Sequence, residues 1–352
     1  MLACYAKYVA SGCNCNNKSN TRSDTVKGYL EAVNDLFVAR NFNPPVDLSD
    51  ISNPASTIVK NLKEEEDVAK RRDPITSEIY AEILKQAKEA EPGSEKWLLG
   101  KLANVAKFIG PRSCEYAQKK NDKVEYHTYP SGKKVVKAFT REDLTFLDKK
   151  SSKLDVSNPE SRKLVAKVRI RWRIQKNRQN GQVVTVKREW LAEDMCGVLA
   201  LWDVCANSIA IGQTKDMPIF ATKAKAPGSK IKYLTAGRIA TLLRNAAKAA
   251  HEDITKDELS RLSSHSFRVW ACVLLSEAGM SSDFIKKRLR WMGDSYQLYL
   301  RDTDVIHDQH SKALSEATAR VLGLLQENLG PDVIPEEVAE DNEMGNYEDF
   351  ED

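Results

Sequence analysis

Between residues 24 and 41 apolar side chains return every three or four positions, at Val26, Tyr29, Leu30, Val33, Leu36 and Phe37. That spacing predicts one amphipathic helix, with Asp24 as its N-cap. Segments 3–12 and 54–70 predict two more helices, and Asn43-Pro44-Pro45 and Asn53-Pro54 punctuate them. The first 70 residues therefore read as a small all-helical bundle. The charged break Lys70-Arg71-Arg72-Asp73-Pro74 marks a linker, which gives a helical domain over 1–72 and a second domain over 73–330. In the second domain Thr76 predicts the cap of a helix reaching about residue 90, and 95–108 predicts another that ends at Gly110-Pro111-Arg112. Pro111 suits the first turn of a further helix, placing Arg112 at its start, and it biases Gly110 toward extended backbone.

The period changes to two between Ala166 and Trp190. Val168, Ile170, Trp172 and Ile174 alternate with Lys167, Arg169, Arg171 and Arg173, so one face of a strand is apolar and the other basic. Asn180-Gly181 is a turn signal, and Val183 to Val186 return as the partner strand. Two readings of the basic face stand side by side. It is a solvated edge strand, or its cations, with Arg178 beyond them, meet phosphates. Residues 133–148 predict a strand and a turn near Arg141-Glu142-Asp143, and 149–163 an exposed loop. Helices are expected at about 191–206, 235–250, 266–279, 282–289 and 311–328. The fold class is mainly α with a small β-hairpin or sheet, an α+β second domain.

Composition narrows the function. The 352 residues are 41% hydrophobic and 30% charged, and no apolar run approaches the ~20 residues of a membrane span. The opening MLACYAKYVA lacks a basic stretch followed by a long apolar core, so no signal peptide is expected. Seven scattered cysteines argue against a disulfide framework and for a reducing, intracellular compartment. Cys13 and Cys15 are too close for a usual zinc knuckle, and no metal or other cofactor is expected. The net charge of +4 conceals an acidic end: residues 335–352 hold nine Asp or Glu and no Lys or Arg. The rest carries 54 basic against 41 acidic residues, a net +13. A basic body suits a polyanionic partner, and residues 331–352 read as a disordered acidic tail that could compete for the same surface.

The segment LSSHSFRVWACVLLSEAGMSSDFIKKRLRWMGDSYQLYLR carries the chemistry. His265 and Arg268, three apart, share one face of a helix for which Ser263 and Ser264 are candidate caps. His265 can donate to a phosphate oxygen or move a proton, and Arg268 can fork two donors onto phosphate. Trp291 follows, then Tyr296 and Tyr299. A tyrosine oxygen, with a pKa near ~10, attacks phosphorus only beside cations and a proton acceptor.

This box resembles the C-terminal catalytic box of the tyrosine recombinase family (phage integrase type): His-x-x-Arg, a His or Trp, then Tyr eight or nine residues on. Trp291 to Tyr299 is eight and Trp291 to Tyr296 five, so the resemblance selects Tyr299. It also asks for an upstream Arg at a helix start with an acidic residue three positions later, which Arg112 and Glu115 match. Glu115 would hold the Arg112 guanidinium. It asks for a Lys in a β-hairpin between them, which Lys176 matches, with Lys187 as rival. The likeness covers roughly residues 1–303. Pro111 before Arg112, Arg290 before Trp291 and a long interval between Arg112 and His265 depart from the pattern.

The resemblance implies a DNA recombinase or integrase that cleaves and rejoins double-stranded DNA through a 3′-phosphotyrosyl bond, without metal or ATP. It implies a helical core-binding domain and a catalytic domain closing as a C-shaped clamp, and a homotetramer on two duplexes. The style of the box is similar to recombinases of eukaryotic Crypton- or DIRS-like mobile elements, which would place the protein in a nucleus. A type IB topoisomerase shares the chemistry but not the His-x-x-Arg spacing. A catalytically silent, domesticated DNA-binding protein needs no Tyr299, and a purely structural protein leaves the whole constellation unexplained.

Overall fold

The computed structural model describes residues 2–11, 21–50, 52–66, 71–175, 180–226 and 228–300, and position 315. Expectations for Cys13, Cys15, Lys176, Arg178, the 311–328 helix and the acidic tail fall outside these residues. The chain forms two compact units, Met1–Arg71 and Arg72–Asp352.

The first unit holds α1 (Leu2–Ala10), α2 (Ser23–Val38) and α3 (Pro54–Glu65). They close on a small core of Ala6, Val9, Val26, Leu30, Val46 and Ala55. Two expectations change here. Arg22 occupies the N-cap position of α2, and Asp24 sits in the first turn, where a carboxylate still complements the helix dipole. The predicted apolar stripe is buried only at Val26 and Leu30, while Tyr29, Leu36 and Phe37 are exposed. Three short helices have too little apolar surface to cover the whole face of α2.

The second unit is α+β. It runs α4 (Ser77–Glu89), α5 (Glu95–Ile109), α6 (Ser113–Tyr116), β1 (Tyr126–Thr128), β2 (Lys134–Val136), β3 (Leu144–Leu147), α7 (Ser161–Leu164), β4 (Lys167–Trp172) and β5 (Gln182–Lys187). There follow α8 (Gly197–Ala210), β6 (Ala221–Lys223), β7 (Ile231–Tyr233), α9 (Ala236–Ala250), α10 (Lys256–Arg261), α11 (Ser266–Glu277), α12 (Ser282–Leu289) and a 3-10 segment, Asp294–Tyr299. The sheets are small and antiparallel. Among the described residues no helix is long and apolar enough to cross a membrane.

Side-chain caps set several helix starts. Thr76 accepts from Ile79 N at 3.3 Å and Ser94 from Trp97 N at 3.4 Å. The small α10 begins in a reciprocal capping box between Thr255 and Glu258. Helix α5 is buried along most of its length against α4, α8 and α11. It ends at Gly110, which is left-handed (φ +46°, ψ +58°), not extended. Pro111 therefore lies outside α6, with Arg112 at the cap position of that helix. A Cβ at Gly110 would stand 2.6 Å from Leu289 Cδ2 and 3.2 Å from Ala271 Cβ. Gly110→Ala should lose roughly 2 kcal/mol, from left-handed backbone and overpacking together, which urea denaturation would measure.

Strand β4 is the centre of a three-stranded sheet, not its edge, with β3 on one side and β5 on the other. Val168, Ile170 and Trp172 are fully buried in the main core with Phe146 and Phe139. Arg169 and Arg171 are exposed on the opposite face. Strand β3 lies inside the 133–148 range where a strand is expected but beyond the Arg141–Asp143 turn, and its pairing with β4 rules out the edge reading.

Candidate active site

Helix α11 starts at the His265 cap position, with Ser263 Oγ accepting the His265 N–H at 3.2 Å. Ser264 is not a cap. Its hydroxyl meets Ser113 Oγ at 3.0 Å and its carbonyl accepts from Tyr116 Oη at 2.5 Å, which docks α6 onto the start of α11. The first turn of α11 thus stands beside the cap of α6, and His265 and Arg112 approach from separate elements.

The 3-10 segment returns Tyr299 to His265. The Tyr299 hydroxyl lies 3.0 Å from His265 Nε2. The Trp291 ring is 5.7 Å from the Tyr299 ring, and the Arg268 guanidinium carbon sits 4.6 Å from the Trp291 ring centre. Trp291 Nε1 is shielded from solvent and has no hydrogen-bond acceptor among the described residues. A shielded indole N–H of this kind can donate to an added acceptor. Tyr296, the rival nucleophile, is only 1% exposed and packs with Ala271, Cys272, Ile285 and Leu289.

Arg268 is 2% exposed. Its Nη1 donates to the Gly110 carbonyl at 2.6 Å and its Nη2 to the Leu289 carbonyl, so it ties the end of α5 to the end of α12. Burial, then repulsion from Arg290 and Arg112, pushes its pKa down to about 9, which leaves it charged at neutral pH. Burial and the charges of Arg268 and Arg72 hold His265 below the ordinary histidine value. Its imidazole is therefore neutral at pH 7, with Nε2 able to accept the Tyr299 proton when Nδ1 carries the hydrogen.

Glu115 pairs with the Arg112 guanidinium, but it has a second and closer partner. Its carboxylate accepts the Arg112 backbone N–H at 2.7 Å, but the Arg112 guanidinium only at 3.5 Å. Its close guanidinium partner is Arg290, at 2.9 and 3.3 Å. Arg112 Nη2 donates instead to the Arg290 carbonyl, at 3.1 Å. Arg290, 2% exposed, entered the sequence reading only as a departure before Trp291, not as a site residue. In KKRLR it looks like one more solvated cation, and nothing local marks it as buried. Three guanidiniums, Arg112, Arg268 and Arg290, thus surround a single buried carboxylate. Net positive charge in a dry site favours an anion.

The basic strand divides. Arg169 and Arg171 are exposed. Lys167 Nζ donates to Ser151 Oγ at 2.8 Å. Arg173 does not join that face: it is ion-paired to the buried Asp143 at 2.6 Å and donates to the Ala138 carbonyl at 3.1 Å. Lys187 pairs with Lys167, five positions along β5 from Gln182, which faces Trp172. At ~3.3 Å per residue, Lys187 is thus about 16 Å from the end of the hairpin that approaches Arg290. A small cleft lined by Glu115, Ala138, Phe139, Arg171, Trp172 and Ile174 joins that end to the site, and Lys137, another cation not singled out, lines it too.

Among the described residues no group of three or more His, Cys, Asp or Glu side chains could hold a metal ion. Cys4, Cys114, Cys196, Cys205 and Cys272 are free thiols. No protein-family model and no curated protein sequence matches the chain.

Proposed function

We propose that this chain is a DNA strand transferase of the tyrosine recombinase type, which cleaves and rejoins double-stranded DNA. The observation that carries the reading is the 3.0 Å contact of Tyr299 Oη with His265 Nε2, with the Arg268 guanidinium behind it over the Trp291 ring. In the proposed step Tyr299 Oη attacks phosphorus and its proton passes to His265 Nε2. The bond from phosphorus to the 5′ oxygen breaks, and that oxygen takes a proton from Lys176, the lysine the resemblance selects. Arg112 and Arg268 stabilise the charge gathering on the non-bridging oxygens, and Trp291 Nε1 donates to one of them. The phosphotyrosyl bond keeps the energy of the broken link, so rejoining is the same step reversed. The helical first unit would serve as a core-binding domain that completes a C-shaped clamp, and four copies would act on two duplexes.

The test is a duplex nicked beside the scissile phosphate, so that the short leaving strand diffuses away and the adduct accumulates. Tight binding with no covalent adduct would sink this reading in favour of a silent DNA-binding protein. The pH profile supplies a second check. Because the His265 pKa is lowered, the neutral acceptor persists at neutral pH and is lost only on acidification. Adduct formation should therefore keep its full rate at pH 7 and fall on a limb below about pH 6.5. His265→Asn should remove that limb.

The exposed strand face gives a separate expectation. Arg171→Ala should weaken DNA binding and lower the slope of log affinity against log salt by about one. Arg173→Ala should leave the slope alone and instead destabilise the fold, because Asp143 would remain buried without its cation. Equal slopes for Arg171→Ala and wild type would return that face to solvent.

A further inference from the structure

We infer that Arg290 is a positioning residue, a clasp that fixes the β4–β5 hairpin against the Arg112 and Trp291 side of the site; its catalytic consequence rests on the strand-transfer reading above. Two features of Arg290 are unfavourable in themselves. Its backbone is left-handed (φ +58°, ψ +48°), a conformation that costs a non-glycine residue on the order of 1 kcal/mol. Its guanidinium is buried, and burial depresses its pKa to about 10. A glycine would cap α12 without either cost.

The contacts of Arg290 show what offsets them. Its guanidinium carbon lies 3.2 Å from the centre of the Trp172 ring, on the last residue of β4. Its Nη2 binds Glu115 on α6 at 2.9 Å. Its carbonyl accepts from Arg112 Nη2 at 3.1 Å, and Trp291 is the next residue. One residue therefore touches the strand that leads into the hairpin turn, the carboxylate behind Arg112, and Arg112 itself. It also engages Glu115 more closely than the Arg112 side chain does, so Arg112 is held by a longer ion pair to Glu115 at 3.5 Å and by the Arg290 carbonyl. An arginine so held keeps more of its field for an added anion than one closely paired with a carboxylate.

Two variants and two readouts test the clasp. Arg290→Gly removes the side chain and relieves the backbone. Arg290→Lys keeps a charge but loses the planar stack and the fork. Hydrogen exchange of the full chain, without DNA, should show faster exchange at the Trp172 end of β4 in Arg290→Gly. Unchanged exchange there would overturn the clasp whatever the enzyme does. In single-turnover capture of the nicked duplex, Arg290→Gly should form adduct roughly ten- to a hundredfold more slowly, a loss well beyond any fall in its DNA affinity. Arg290→Lys should recover part of the rate. A folded Arg290→Gly with wild-type capture, or with binding and capture falling together, would overturn the positioning role. Absence of adduct in wild type, with faster exchange in Arg290→Gly, would sink strand transfer and leave the clasp standing.

Discussion

Replacing Tyr299 with phenylalanine should abolish covalent capture of a nicked duplex while leaving DNA affinity close to wild type. Tyr296→Phe should leave capture intact. The two hydroxyls are three residues apart, but their surroundings differ in kind. Tyr299 Oη faces His265 Nε2 at 3.0 Å, with Trp291 and Arg268 behind it, so it has a proton acceptor and neighbouring positive charge. Tyr296 Oη is shielded within the apolar cluster of Ala271, Ile285 and Leu289, where phosphate could reach it only by unpacking the core. Loss of the nucleophile removes the covalent route entirely, since no other group can form the same bond. Gel electrophoresis under denaturing conditions reads the adduct directly. Capture that survives in Tyr299→Phe and disappears in Tyr296→Phe would reverse the assignment.

The parts of the site that were legible in the sequence are those set by local spacing. His265 and Arg268 share a helix turn, Thr76 announces a helix start, and the alternation from Val168 to Trp172 marks a strand with one buried face. What was not legible depends on partners distant in the chain. Arg173 continues the basic alternation, yet Asp143, thirty residues earlier, pulls it out of the solvent face. Pro111 argued for an extended Gly110, but the end of α5 needs a left-handed residue where Leu289 and Ala271 leave no room for a side chain. Glu115 is paired with Arg112, three residues earlier, by the resemblance to tyrosine recombinases. The structure gives its stronger ion pair to Arg290, 175 residues away. Spacing reports which groups can meet within an element. Among several guanidiniums of equal charge, only tertiary packing decides which one the carboxylate takes.

Glu115→Gln should destabilise the second unit by about 3–5 kcal/mol, the usual cost of removing one partner from a buried ion pair. The carboxylate is the only acidic group among Arg112, Arg268 and Arg290 in the contacts described above, and it is itself only 4% exposed. Glutamine preserves the shape and can still accept the Arg112 N–H, so the loss isolates the charge. Without it Arg290 and Arg268, both already destabilised by burial, lose the Glu115 charge that opposes their burial. Two further results should follow. Sulfate should raise the denaturation midpoint of Glu115→Gln more than that of wild type, because an anion that binds only the folded state stabilises it by mass action. The double variant Glu115→Gln, Arg290→Met should regain part of the lost stability, because it removes both members of the buried ion pair together. A double variant as unstable as the sum of the two single ones would mean that Glu115 and Arg290 are not energetically coupled. The three guanidiniums would then be held apart by packing alone, and the argument that their shared charge prepares a seat for a phosphate would lose its electrostatic basis.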